Sequence, residues 1–275
     1  MGARHASKGR NRRCPTANPD DLPGRQRLHA ARVAPRQAAM YAVSVDVTPT
    51  SGAPYSQGGR ATYRDFFEMF QAPFLEGAAW SVKDETDHAD VVVLSAKLAA
   101  KLFPHETAVG RTVNLDKGLY RVTGVLAPWA PMPRFYDPSN AFGSGEQFFM
   151  PFTTAISHEK PNNGNYNCAK LPPPGWSGKL AGDCIWVQFW AELPGAAAVR
   201  AYRQFLTNYS SEQQRLGRFH WPPLVRLNNV RQWLQLLHIV PDEVRGELAA
   251  RIRLSGGVSG ECRGPDAGPI FRAGQ

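Results

Sequence analysis

Long apolar runs are missing from this 275-residue chain. No window reaches the roughly 18 to 20 uninterrupted apolar residues that cross a bilayer as a helix. The best stretch, 185–199, is broken by Gln188, Glu192 and Pro194. No apolar segment follows the Arg- and Lys-bearing N-terminus, so no secretory signal is expected. The seven histidines, His5, His29, His88, His105, His158, His220 and His238, carry no HxH or HExxH spacing, and no metal ligand is expected. GxSxG, a phosphate-cradling Gly-Lys-Ser/Thr and GxGxxG after a strand are also absent, and Gly143-Ser144-Gly145 reads as loop. No catalytic residue and no cofactor are therefore expected. Asp84, Glu85, Asp87 and Asp90 lack the alternating ligands and central Gly of a calcium loop and read as a solvated turn.

Charge imbalance is scarce where a fold would be. The formal net charge is +9, yet residues 1–40 alone carry nine Lys/Arg against Asp20 and Asp21. Residues 41–245 carry nineteen basic against eighteen acidic side chains, and residues 246–275 carry four against three. The basic balance thus describes a tail and says little about the domain's partners. Residues 1–40 lack apolar periodicity and are expected to be disordered. Their Arg content admits a nucleic-acid-binding arm or a presequence, but no aromatic residues interleave for base stacking.

What is present is 43% hydrophobic composition, enough for a real core. Val91, Val92, Val93 and Leu94 make a β-branched run that reads as a buried strand. Ser95 caps a helix from Ala96 with Leu98, Leu102 and Phe103 on one side, ended by Pro104. Val113 and Leu115, a turn at Asp116, Lys117 and Gly118, then Tyr120, Val122 and Val125 make a hairpin. Residues 41–47 alternate as a first strand, and 48–59 carry turn chemistry. Thr62 is placed to cap a short helix whose Tyr63, Phe66, Phe67 and Phe70 form an aromatic stripe, expected as core. Residues 147–152 and 185–193 read as strands. Pro194 and Gly195 open a helix with a buried stripe of Val199, Tyr202, Phe205 and Leu206. Leu224, Val225 and Leu227 suggest a closing strand, and 230–244 a helix with Trp233, Leu236, Leu237 and Val240 on one face.

Two irregular segments remain. Residues 127–145 carry Trp129, Phe135, Tyr136 and Phe142, either as an exposed recognition surface or as a loop burying its own aromatics. Residues 162–182 are rich in Pro and Gly and lie against Cys168 and Cys184. These cysteines have no metal-ligand spacing; they form either a disulfide, worth about 3 kcal/mol in an oxidising compartment, or two separate thiols. Cys14 and Cys262 sit in the tails.

The order VVVLS, LAAKLFP, VGRTVNLD, YRVTGV, preceded by YRDFFEMFQAPFLEGAAW and followed by FMPFTTA, resembles the periplasmic core domain of MacB-like ABC transporter permeases, relatives of FtsX. The resemblance covers roughly 41–245. It implies an α+β fold: a porter-like mixed sheet with packed helices, built from two strand-helix-strand units at 41–126 and 185–229. A smaller loop-rich, β-containing subdomain at 127–184 would be inserted between them. Residues 1–40 and 246–275 would be disordered tails, the latter replacing a membrane helix, so the chain is expected to be a fragment. The implied function is non-catalytic coupling of ATPase-driven helix movement to export or release of a substrate, at the inner membrane with this domain in the periplasm. The implied partners are an ABC ATPase subunit, a second or paired permease copy, a periplasmic accessory protein and, for the longer protein, the membrane. Phe135, Tyr136, Phe142, Tyr166 and Trp176 are the candidate partner or substrate surface. The alternatives are a soluble nucleic-acid-associated protein using the Arg-rich tail, and an enzyme with a pocket in the insertion.

Overall fold

Alternating and β-branched residues place eight strands in one mixed sheet. The computed structural model describes residues 31–137, 140–168, 171–182, 184–217, 225–239, 258–262 and 269–273. In chain order these form β1 (Gln37–Thr48), β2 (Tyr55–Thr62), α1 (Asp65–Met69), β3 (Phe74–Gly77), α2 (Val82–Thr86), β4 (Val91–Ser95) and α3 (Ala96–Leu102). Next come β5 (Thr112–Leu115), β6 (Gly118–Leu126), β7 (Phe148–Pro151), α4 (Phe152–Ser157), β8 (Asn167–Cys168), α5 (Gly175–Ala181), β9 (Cys184–Ile185) and β10 (Gln188–Ala191). The chain continues through α6 (Gly195–Arg215), α7 (Val230–Leu236), β11 (Val258–Cys262) and β12 (Pro269–Ala273).

The strand order is β10-β1-β2-β7-β4-β6-β3, and β5 pairs with both β6 and the end of β1. Pairing therefore runs β1-β2-β7-β4-β6-β5 and back to β1, a closed circuit with β10 and β3 as outriders. β2/β7 and β4/β6 are parallel, the remaining pairs antiparallel. Closure leaves fewer free edges and fixes register, because a one-residue slip would turn every buried Val outward. At the β5–β6 hairpin, Asp116 and Lys117 both have positive φ, 52° and 68°, as a two-residue type I′ turn demands. Asp116 Oδ1 accepts from the Asp46 amide at 2.7 Å and Oδ2 from Lys160 Nζ at 2.6 Å, pinning the turn to β1.

The aromatic stripe on α1 is the core's centre. Phe66 is fully buried, with the rings of Phe67, Phe70, Trp129, Tyr136 and Phe149 all between 4.9 and 5.9 Å away. Gly59 stands where the Phe148 ring crosses β2; a Cβ there would lie 2.5 Å from that ring.

Several expectations need correction. β1 begins at Gln37, inside the stretch expected to be tail. Ala38, Ala39 and Met40 are buried against β10, and Arg36 bridges Glu192 and Glu68. Much of the segment read as turn is β2. Thr62 lies at its end and donates to the Tyr63 carbonyl, and α1 begins after Arg64 without a side-chain cap. The acidic cluster is α2 and its surroundings. Ser81 and Asp84 form a capping box, and buried Glu85 accepts from Trp80 Nε1 at 3.0 Å and the Arg64 amide at 2.8 Å. The strand expected at 185–193 is split into β9 and β10, and β10 pairs with β1; of the closing strand expected at Leu224, Val225 and Leu227, Leu224 lies outside the described residues and 225–229 carry no strand. From within the stretch expected as an insertion, 127–184, β7 takes its place between β2 and β4. In α7 the buried residues are Val230, Trp233 and Leu234, while Leu236 is exposed. Within 246–275, β11 and β12 pair antiparallel, and 263–268 and 274–275 lie outside the described residues. Residues 1–30, with Cys14, and Val240 onward to 257 lie outside the described residues.

Ser95 Oγ accepts from the Leu98 amide at 3.0 Å and donates to Gln147 Oε1 at 3.1 Å, so one hydroxyl caps α3 and ties it to the approach to β7. Ser95→Ala is expected to lower stability by about 1 to 2 kcal/mol in urea unfolding.

Candidate functional site

β2 carries a guanidinium into the interior. Arg60 is 1% exposed, and each of its donor nitrogens has a partner from a different position in the chain. Nε donates to Glu146 Oε1 at 2.8 Å, Nη1 to Gln188 Oε1 at 2.9 Å and Nη2 to Asp137 Oδ2 at 2.5 Å. The guanidinium also lies 5.0 Å from the Tyr136 ring centroid, within cation–π range. Glu146 Oε2 accepts from Tyr136 Oη at 3.0 Å and lies 3.5 Å from Arg134 Nη1. Arg134 Nη2 donates to the Asn140 carbonyl at 2.6 Å. Two guanidinia thus face two carboxylates.

Burial alone would lower the Arg60 pKa, but Glu146 and Asp137 outweigh it and the net shift is upward. Burial would raise Glu146, yet Arg60 and Arg134 hold it below the usual carboxylate range. Burial, reinforced by Glu146, keeps the Tyr136 phenol neutral far above neutral pH. Arg60 and Glu146 are therefore held as a charged pair, which suits a positioning role.

These residues line a cavity of about 630 Å³. Its other walls come from β1, the start of β10, the 162–167 segment and Trp233 of α7. Trp233 Nε1 donates to the Phe135 carbonyl at 3.2 Å, fastening α7 to the loop.

Phe135 and Tyr136, expected at the surface, are 3% and 1% exposed. This corrects that expectation: the salt bridges of Arg60 draw the loop inward, where Tyr136 stacks on Phe70 and Phe135 meets it edge-on. Phe142 is exposed at 65% and Tyr166 at 37%. Tyr166 and Trp176 come together with Trp186 around one cation, Lys179 Nζ, at 5.3, 5.0 and 4.5 Å from the ring centroids. Nζ also donates to Asn162 Oδ1 at 2.6 Å, and burial lowers the lysine's pKa. Cys168 and Cys184 are opposite one another in the β8–β9 pair and are joined by a disulfide, with Cα atoms 4.1 Å apart.

Sequence reasoning missed Arg60, Arg134, Asp137, Glu146 and Gln188. The available signal was a lone Arg in the Gly-Gly-Arg-Ala-Thr run leading directly into the aromatic stripe. Among the described residues no group of three or more His, Cys, Asp or Glu could hold a metal ion, and no helix is long and apolar enough to cross a membrane.

The described residues thus form a closed mixed sheet with a buried ion network beside a polar cavity. The chain belongs to the family of MacB-like periplasmic core domains, whose model matches residues 4–208. That span begins well before Tyr41, so the basic stretch read as a tail outside the family lies within the match, and it ends short of 245. A macrolide export ATP-binding/permease protein MacB of Marinobacter nauticus is 32% identical over 84 residues, 30% of this chain and 12% of that protein. The chain thus corresponds to a small part of that relative's length. The periplasmic region of MacB from Actinobacillus actinomycetemcomitans superposes with a TM-score of 0.45 at 13% identity, covering 69% of this chain and 72% of the other. The extracellular domain of the ABC-type transporter YknZ from Gram-positive bacteria gives 0.38 at 15% identity, covering 52% and 66%.

Glu146→Gln is expected to cost about 3 kcal/mol, since it leaves buried Arg60 and Arg134 short of a counter-charge. Because the folded Glu146 pKa is depressed, its contribution is full above the unfolded value of about 4.3 and is lost as pH falls through the lower folded value. The acid decline of the urea midpoint should therefore be shallower in Glu146→Gln than in the wild type. Replacing Cys168 and Cys184 together by Ser should destabilise the β8–β9 segment by about 3 kcal/mol. Hydrogen exchange should report this at 159–186 while β4 and β6 remain protected.

Proposed function

We propose that this chain is the extracytoplasmic domain of an ABC transporter permease, which couples movement of membrane helices to export or release of a substrate without catalysing a reaction itself. The observation that carries this reading is the family match over residues 4–208. The relative from Marinobacter nauticus, named as a macrolide export ATP-binding/permease protein, agrees with it. ATP hydrolysis would belong to a partner ATPase acting below a pair of permease copies. The closed strand circuit and the buried ion network suit a body that moves as a unit rather than one that deforms. Phe142 and Tyr166, exposed on two different loops, are the contacts offered to a substrate or an accessory protein.

The extracytoplasmic placement is tested by acid-quenching cells that produce the chain and alkylating free thiols. Cys168 and Cys184 should stay unmodified until a reductant is added; two freely alkylated thiols would put the domain in a reducing compartment and remove the reading. Titration with duplex DNA should show no salt-sensitive binding that depends on residues 1–40. Such binding would favour the nucleic-acid alternative.

A further inference from the structure

The cavity beside Arg60 is lined in a way that selects a ligand. We propose that it is a binding site for an uncharged, polyhydroxylated molecule, a saccharide. This inference is independent of the permease reading and stands on the lining alone.

The buried charges in the wall are matched, and the exposed Lys97 also lines the cavity. Arg60 and Arg134 face Asp137 and Glu146, so an anion entering there meets carboxylates and a cation meets guanidinia. Most of the remaining side-chain chemistry is amide, above all Asn162, Asn163, Asn165 and Asn167 on one segment, with Gln57 and Gln188 from the sheet. An amide presents both donor and acceptor, as a sugar hydroxyl does, so each can serve a hydroxyl in either role.

The amides are held in place before any ligand arrives. Asn163 Nδ2 donates to Ser44 Oγ at 2.6 Å, and the Asn163 backbone amide donates to the Ala42 carbonyl at 2.7 Å. Asn162 bridges to Val43 on β1 and accepts from Lys179, whose ammonium sits among Tyr166, Trp176 and Trp186. Gln188 is oriented by Arg60. The disulfide closes the same segment. Little ordering entropy then remains to be lost on binding.

One buried donor in this wall is unanswered. Arg134 is 3% exposed, and its Nε has no hydrogen-bond partner among the described residues. A buried donor left unpaired costs about 1 to 3 kcal/mol. There is also room: Gly58 and Gly145 line the cavity, and a Cβ at either would meet no atom within 4 Å. A peptide fits less well. Its main chain would need a free strand edge, and the Gly58 carbonyl already accepts from the Gln147 amide at 2.9 Å.

The test is saturation-transfer NMR on the full 275-residue chain with maltose, cellobiose, lactose, trehalose and N,N′-diacetylchitobiose, alongside tri-alanine and inorganic phosphate. At least one disaccharide should receive saturation, and its affinity should fall about tenfold or more in Gly58→Tyr, which fills the cavity from β2. Gly145→Leu serves the same purpose if Gly58→Tyr does not fold. Failure of all the disaccharides would overturn the proposal, as would binding of tri-alanine or phosphate in their place, or disaccharide binding that the cavity-filling variants leave unchanged. The thiol-labelling result bears on none of these outcomes, so the two readings fail separately.

Discussion

A single buried guanidinium dictates how the irregular half of this domain is arranged. Arg60 sits on a strand inside the sheet at 1% exposure, where an unpaired charge would cost several kcal/mol. Its partners come from residues 77, 86 and 128 positions away in sequence: Asp137, Glu146 and Gln188. Meeting that requirement pulls the 127–147 loop onto the sheet, brings β10 beside β1 and sets the approach to β7. The loop's aromatic rings then join the cluster around Phe66, so a polar constraint organises an apolar core.

The arrangement links stability to function through rigidity. The strand circuit closes through β5, the loop is clamped by ion pairs, and the 162–186 segment is held by a disulfide and by Lys179 among three aromatic rings. The cavity lies where these three devices meet. A domain so braced suits the proposed transmission of displacement, and its cavity presents prepared amides to the proposed ligand. Both properties follow from the same contacts, since what resists deformation also fixes the amide positions.

Local signals were legible where neighbours in sequence are also neighbours in space. The run at 91–94, the Ser95 cap, the Asp116-Lys117 turn and the aromatic stripe of α1 each rest on interactions within a few residues, and each is present. The order of these pieces carried the family resemblance. Partnerships across long separations were not legible. Gly58 and Gly59 look like turn residues, and only the Phe148 ring lying over β2 explains a strand there. Gln37 to Ala39 look like tail, and pairing with β10 makes them strand. Phe135 and Tyr136 look like a recognition surface until the partners of Arg60 are known.

By itself, then, the sequence determined the hairpin, the Ser95 cap, the core stripe and the absence of the common catalytic and metal-binding motifs, because hydrophobic periodicity and turn stereochemistry are local; the α+β class came with the family resemblance that the order of these pieces carries. The tertiary structure decided which loop is buried, which strand lies at the edge, where the cavity opens and which amides line it. Those outcomes depend on satisfying one buried charge and closing one sheet, and neither requirement has a signature within any short window of the chain.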